Sequence, residues 1–131
     1  MNLAKVKTLI LEDDVYKAIE VERALNYCGI YNIKQVSNQK AGFRYIYQCL
    51  EDNAPVQLIV TDMHYPLEAG SEADTEAGFK LLERLEKENL NIPVIICSSL
   101  NFREPKALGN VWYNKLRDIK MDFKEILETL E

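Results

Sequence analysis

Leu58-Ile59-Val60-Thr61-Asp62-Met63-His64-Tyr65-Pro66 is the stretch that decides how this chain folds. Leu58 to Thr61 are apolar or β-branched without polar alternation, the pattern of a strand buried on both faces. The run ends at a carboxylate. Pro66 cannot continue a strand ladder, so the chain is expected to turn there. An aspartate at the carboxyl end of a buried strand lies where open α/β sheets place their chemistry. An unpaired buried carboxylate is costly. Asp62 is therefore either a solvated cap for a following helix or part of a functional cluster. The other strand ends decide between the two.

Upstream, Val6 to Leu11 reads as a first strand that runs into Glu12-Asp13-Asp14. Val15, Ala18, Ile19, Glu22, Leu25 and Cys28 then recur at helical spacing as far as Gly29, a helix stop. Asp14 suits a cap for that helix. Ile30 to Val36 is a second strand. Ser37 or Asn38 caps a second helix through Ala41, Tyr45, Ile46 and Cys49, and Pro55 parts it from the central strand, Val56 to Thr61.

Downstream, residues 67–77 carry Glu68, Glu72, Asp74 and Glu76 and no basic residue, which reads as a long acidic loop insertion, solvated and dispensable for folding. Phe79, Leu82 and Leu85 begin a third helix that ends near Asn89. Ile92 to Cys97 is another fully buried strand, closed by Ser98-Ser99. Residues 101–110, with Pro105 and Gly109, leave room for about one turn, a shortened fourth helix. Val111-Trp112-Tyr113 is a short last strand, with Lys115 close behind. Asp118 or Asp122 opens a final helix along Phe123, Ile126, Leu127 and Leu130. Strand and helix alternate, so the fold class is α/β, a five-stranded parallel sheet with helices on both faces.

The 131 residues form one domain, 1–131, of ordinary globular composition: 47% hydrophobic and 28% charged. A net charge of −5 offers no attraction for nucleic acid. No apolar run reaches membrane-spanning length and the N-terminus has no signal pattern, so no membrane insertion is expected. Cys28, Cys49 and Cys97 have no metal-binding spacing and read as small buried thiols, which suits a cytoplasmic location. His64, the one histidine, cannot build a histidine metal site alone.

Four strand ends carry polar residues of four kinds: Glu12-Asp13, Asp62, Ser98-Ser99 and Lys115. In a parallel sheet these ends share one edge. Clustered carboxylates repel unless a cation neutralises them, and Mg²⁺, with few protein ligands and several waters, suits two or three carboxylates. Lys115 can hold a phosphoryl oxygen, and a serine hydroxyl can donate to another. The chemistry these groups fit is phosphoryl transfer to the Asp62 carboxylate.

The acidic pair after strand one, the aspartate with proline four residues later, the serine ending strand four and the lysine after strand five together resemble the receiver domain of two-component response regulators. The resemblance covers nearly the whole chain. It implies a CheY-like, flavodoxin-like three-layer sandwich with strand order 2-1-3-4-5. It implies that Asp62 is the phosphoacceptor, with Mg²⁺ held by Glu12, Asp13, Asp62 and the backbone carbonyl of His64, Asp13 binding directly. Ser98 would be the switching hydroxyl, Lys115 the phosphoryl-binding cation and Trp112 the switch aromatic. Plain core filling is the alternative for Trp112, and a solvated bystander the alternative for the His64 side chain. The chain departs from the family at the acidic loop, the short fourth helix and Leu116, where the family usually has proline.

The expected function is a stand-alone response regulator receiver. A histidine kinase or histidine phosphotransfer protein donates the phosphoryl group, and a downstream protein is reached by direct contact, since no effector domain follows the last helix. No enzymatic turnover is expected beyond self-catalysed phosphorylation and dephosphorylation. Two alternatives stand beside it. One is a pseudo-receiver that only binds partners. The other is a phosphatase with an aspartate nucleophile, a class that usually places a second aspartate where this chain has His64.

Overall fold

β1 (Lys7–Leu11), β3 (Leu58–Thr61) and β6 (Val94–Ser98) are buried along almost their whole length, which is why their sequences run apolar without alternating. The computed structural model describes residues 2–101 and 103–130. In it these strands are the centre of a five-stranded parallel sheet, flanked by β2 (Asn32–Val36) and β7 (Gly109–Trp112). The order β2-β1-β3-β6-β7 is the expected 2-1-3-4-5 once a separate two-stranded ribbon is set aside. Register places Leu11 beside Thr61, Thr61 beside Ile96 and Ser98 beside Trp112.

That ribbon straddles the start of the acidic segment expected to be loop, with one strand just before it and the other within it. β4 (Tyr65–Pro66) pairs antiparallel with β5 (Ala73–Asp74), Tyr65 opposite Asp74 and Pro66 opposite Ala73. Pro66 thus does join a ladder. Each strand of a two-stranded ribbon is an edge, the one place a sheet admits proline.

Helices α1 (Val15–Tyr27) and α2 (Gln39–Glu51) each begin at a short polar side chain that accepts from free N–H groups, whereas α3 (Ala77–Lys87) and α4 (Lys120–Glu128) have no side-chain cap. The Asp14 carboxylate accepts from Tyr16 and Lys17 at the start of α1, and Asn38 accepts from Ala41 at the start of α2. Asp118 accepts from the N–H of Lys120, the first residue of α4, from one position before the cap residue Ile119. Gly29, at φ 92°, turns the chain out of α1 in the left-handed region that favours glycine.

Side-chain alternation along the strands divides the interior in two. Leu9, Leu11, Ile59 and Ile96 face Phe43 and Ile46 of α2 and Leu81 and Leu85 of α3. Ile10, Val60, Ile95 and Val111 face Val21 and Leu25 of α1 and Phe123 and Leu127 of α4. Among the described residues the expected short fourth helix does not form. The described residues between β6 and β7 make only turns and bends, and Phe102 lies outside the described residues. Leu108 already donates to the Val94 carbonyl at 2.7 Å, so the chain is back on the sheet too soon for a helix.

Candidate functional site

Parallel pairing brings the carboxyl ends of β1 and β3 together, and the three expected carboxylates meet there. Among the described residues, Glu12, Asp13 and Asp62 form a group whose ligand atoms lie within 4.8 Å of one another. Glu12 is buried, Asp62 half-buried and Asp13 exposed. The Asp62 N–H donates to the Leu11 carbonyl at 3.0 Å, and its Oδ1 accepts from the Met63 N–H at 2.7 Å. The Asp14 N–H donates to Glu12 Oε2 at 3.1 Å.

The cation at this cluster is one that sequence reasoning missed. Lys17, in the first turn of α1, places Nζ 2.8 Å from Glu12 Oε1 and 2.9 Å from Asp62 Oδ1, and donates to the Cys97 carbonyl at 2.7 Å. Its side chain is 6% exposed. Three partners match the three donors of an ammonium. The same Nζ lies 5.3 Å from the centre of the Tyr113 ring, whose hydroxyl is 2.8 Å from Glu20 Oε1.

Burying an ammonium costs several kcal/mol. Each neighbouring carboxylate returns roughly 4 kcal/mol at an effective dielectric near 20. Burial accordingly pulls the Lys17 pKa down, the pull of Glu12 and Asp62 outweighs it, and the net direction is up. Burial drives Glu12 up to about 7, opposed by Lys17 and helped by the charge of Asp62.

A signal for Lys17 was present in the sequence. Ala18, Val21, Ala24 and Leu25 form the buried stripe of α1, and Lys17 lies on it, four residues before Val21. A lysine on an apolar stripe needs an acidic partner in the interior.

Lys115, the cation expected from the sequence, does not reach the cluster. β7 ends at Trp112, not Tyr113, and the chain then enters a turn in which the Arg117 N–H donates to the Asn114 carbonyl. Lys115 is exposed on that turn, and its ammonium makes no ion pair among the described residues. Trp112 is 39% exposed, so it is not core filling. Its indole N–H donates to the Ser99 carbonyl at 3.0 Å and the Arg117 guanidinium lies 5.5 Å from the ring centre. Ser98 is buried at the end of β6 next to the Cys97 carbonyl that holds Lys17, and its Oγ accepts from Leu100 N–H at 3.2 Å. His64 is exposed on the bend after Asp62.

A second layer fixes the backbone of Asp62. Gln39 Nε2 lies 3.2 Å from Tyr65 Oη, Tyr65 Oη lies 3.0 Å from Thr61 Oγ1, and Thr61 Oγ1 donates to the Asp62 carbonyl at 2.8 Å. With one proton on each hydroxyl, the arrangement that satisfies all three contacts runs from Gln39 through Tyr65 and Thr61 to that carbonyl. Burial pushes the Tyr65 pKa up to about 12, so the phenol keeps its proton. Gly78 of α3 packs on the same carbonyl: a Cβ there would lie 2.9 Å from it.

The donor set fits a small hard cation. It consists of carboxylate oxygens within one coordination sphere, and one member, Asp13, faces water that such an ion would retain.

No family model and no curated protein matches the sequence. Solved structures do. The chain superposes on the Mn²⁺-bound form of the response regulator Rcp1 with a TM-score of 0.67 at 17% identity, covering 95% of this chain and 94% of that one. This is the receiver fold. The same fold relates it to a LuxR-family DNA-binding response regulator from Staphylococcus aureus, at TM-score 0.63 and 21% identity over 95% and 98% of the two chains. It also relates it to RcsB in the structure of two RcsB dimers bound to two parallel DNAs, at TM-score 0.67 and 12% identity. There it covers 95% of this chain but 63% of RcsB, less than two thirds of that protein. Among the described residues of this receiver fold, no helix is long and apolar enough to cross a membrane.

Proposed function

We propose that this receiver fold works as a cytoplasmic phosphorylation switch, with Asp62 as the phosphoacceptor. The observation that carries it is the half-buried Asp62 carboxylate at the carboxyl end of β3, within 4.8 Å of Glu12 and Asp13 and 2.9 Å from a buried ammonium. A carboxylate oxygen of Asp62 forms the new P–O bond. The donor's P–N bond, on a histidine kinase or histidine phosphotransfer protein, breaks, and its electron pair stays with the imidazole. Glu12, Asp13, Asp62 and the His64 carbonyl would hold Mg²⁺, which would offset the charge of the carboxylates and of the phosphoryl oxygens. Thr61, Tyr65 and Gly78 keep the Asp62 backbone in place while this happens. The signal then passes to a protein partner by direct contact.

Lys17 also favours a second reading. It already pairs with both Glu12 and Asp62 and offsets one of their two charges, as a binding-only pseudo-receiver would need. One experiment separates the two. Incubation with acetyl phosphate and Mg²⁺, followed by intact mass spectrometry, should add one phosphoryl group to the wild type and none to Asp62→Asn. Label on the variant would remove Asp62 from the role, and an unlabelled wild type would leave the pseudo-receiver.

A further inference from the structure

We infer that Lys17 on α1, and not a lysine after the last strand, is the cation that holds the phosphoryl group during and after transfer to Asp62. The inference rests on Asp62 being the phosphoacceptor.

Lys17 has the reach. Its Nζ is 2.9 Å from Asp62 Oδ1, so an oxygen of a phosphoryl group joined to that carboxylate arrives within hydrogen-bonding distance after a small movement of a flexible chain. It is aimed. The Cys97 carbonyl accepts one of its protons at 2.7 Å and the Tyr113 ring lies 5.3 Å away, so the ammonium is tethered to the end of β6 whatever happens at the carboxylate. It is also free to change partners, because one of its contacts is the atom to be modified. When the Asp62 oxygen becomes part of an acyl phosphate, it loses its own charge and the phosphoryl oxygens carry it instead. Lys17 can then exchange Asp62 Oδ1 for a phosphoryl oxygen while keeping Glu12 and the Cys97 carbonyl.

Lys115 has none of these properties. It lies beyond the end of β7, past Asn114, on an exposed turn. The ammonium beside the cluster is that of Lys17, with the Tyr113 ring 5.3 Å from it.

The test compares three chains by the rate of label from acetyl phosphate with Mg²⁺. Asp62 forms the P–O bond, and the donor's P–O bond breaks to release acetate. Lys17→Met should label about 100-fold more slowly than wild type, the size of effect seen when one charge-stabilising donor is lost. Lys115→Ala should label within about twofold of wild type, as expected for an exposed charge. A wild type that does not label overturns the Asp62 assignment itself. A wild type and a Lys17→Met that label at the same rate overturn the inference about Lys17 alone.

Lys17→Met also strips a buried carboxylate pair of its partner, so a measurement on the unmutated protein accompanies it. Beryllofluoride with Mg²⁺, a mimic of the bound phosphoryl group, should shift the side-chain ¹⁵N resonance of Lys17 and leave that of Lys115 in place. A through-hydrogen-bond ¹⁵N–¹⁹F coupling at Lys17 would mark direct contact with the fluorides, which a purely structural ion pair that merely lost Asp62 would not show, and a coupling at Lys115 with none at Lys17 would reverse the assignment.

Discussion

At the scale of single residues, the site is held by groups whose roles depend on tertiary neighbours. Tyr65 is fully buried, and its hydroxyl sits between the Gln39 amide and the Thr61 hydroxyl that supports the Asp62 carbonyl. Tyr65→Phe removes that oxygen and leaves Gln39 short of one acceptor in the interior. The expected loss is about 1–2 kcal/mol. Urea denaturation should show a lower midpoint with an unchanged slope, and an unchanged midpoint would mean that the chain of hydrogen bonds adds nothing to stability. Asp62 could be found in the sequence because a charge ending an apolar run is conspicuous. Lys17 escaped because its partners, Glu12, Asp62 and Cys97, come from three different strand ends. A lysine near a helix start also has an ordinary solvated role, which only its place on the apolar stripe of α1 argued against.

At the scale of elements, the strands buried on both faces were legible and the marginal ones were not. β3 and β6 declare themselves by uninterrupted apolar sequence. β7 has only Val111 buried, so its end was misplaced and Lys115 with it. The ribbon of β4 and β5 was invisible because two residues a side show no period. α3 meets the site through Gly78, where a Cβ would stand 2.9 Å from the Asp62 carbonyl and 3.1 Å from the Met63 Cε and Sδ. Alanine in a helix normally gains up to about 1 kcal/mol over glycine. Here the crowded atom is backbone and cannot swing away. Gly78→Ala should therefore destabilise by about 1–3 kcal/mol in a thermal melt, the range for overpacking. A stabilised variant would show that α3 can lift off the site freely. The exposed acids of the ribbon tip act at longer range. Replacing Glu68 and Glu72 with glutamine should speed labelling by acetyl phosphate at low ionic strength. The gap should close as salt shortens the screening length to about 3 Å at 1 M. Equal rates at both extremes would make the tip electrostatically silent.

At the scale of the whole molecule, the cluster of like charges between two cores links metal binding to stability. A ligand that binds only the folded state at a hundred times its Kd adds about 2.7 kcal/mol. For a domain of this size that is about 10 °C in Tm. Mg²⁺ should therefore raise the Tm of the wild type steadily as its concentration climbs, by about that much at a hundred times its Kd, and raise that of Asp13→Asn less. Equal rises in both proteins would place the ion elsewhere. The two-sided core followed from the alternation of strand and helix, because packing of that kind is written in hydrophobic period, whereas the sheet order came only from the resemblance to receiver domains. The missing helix between β6 and β7 follows from a chain that returns to the sheet at Leu108, a long-range contact no local pattern records.

The seat of Lys17 on a helix has a consequence for descent. Wherever the ammonium comes from α1, the residues after the last strand no longer need to supply one, and they can drift. In an alignment of this chain's kin, a basic residue at position 17 and one closing the last strand should be anticorrelated, each sequence keeping one of the two. The turn that now carries Lys115 should then vary as freely as any exposed loop.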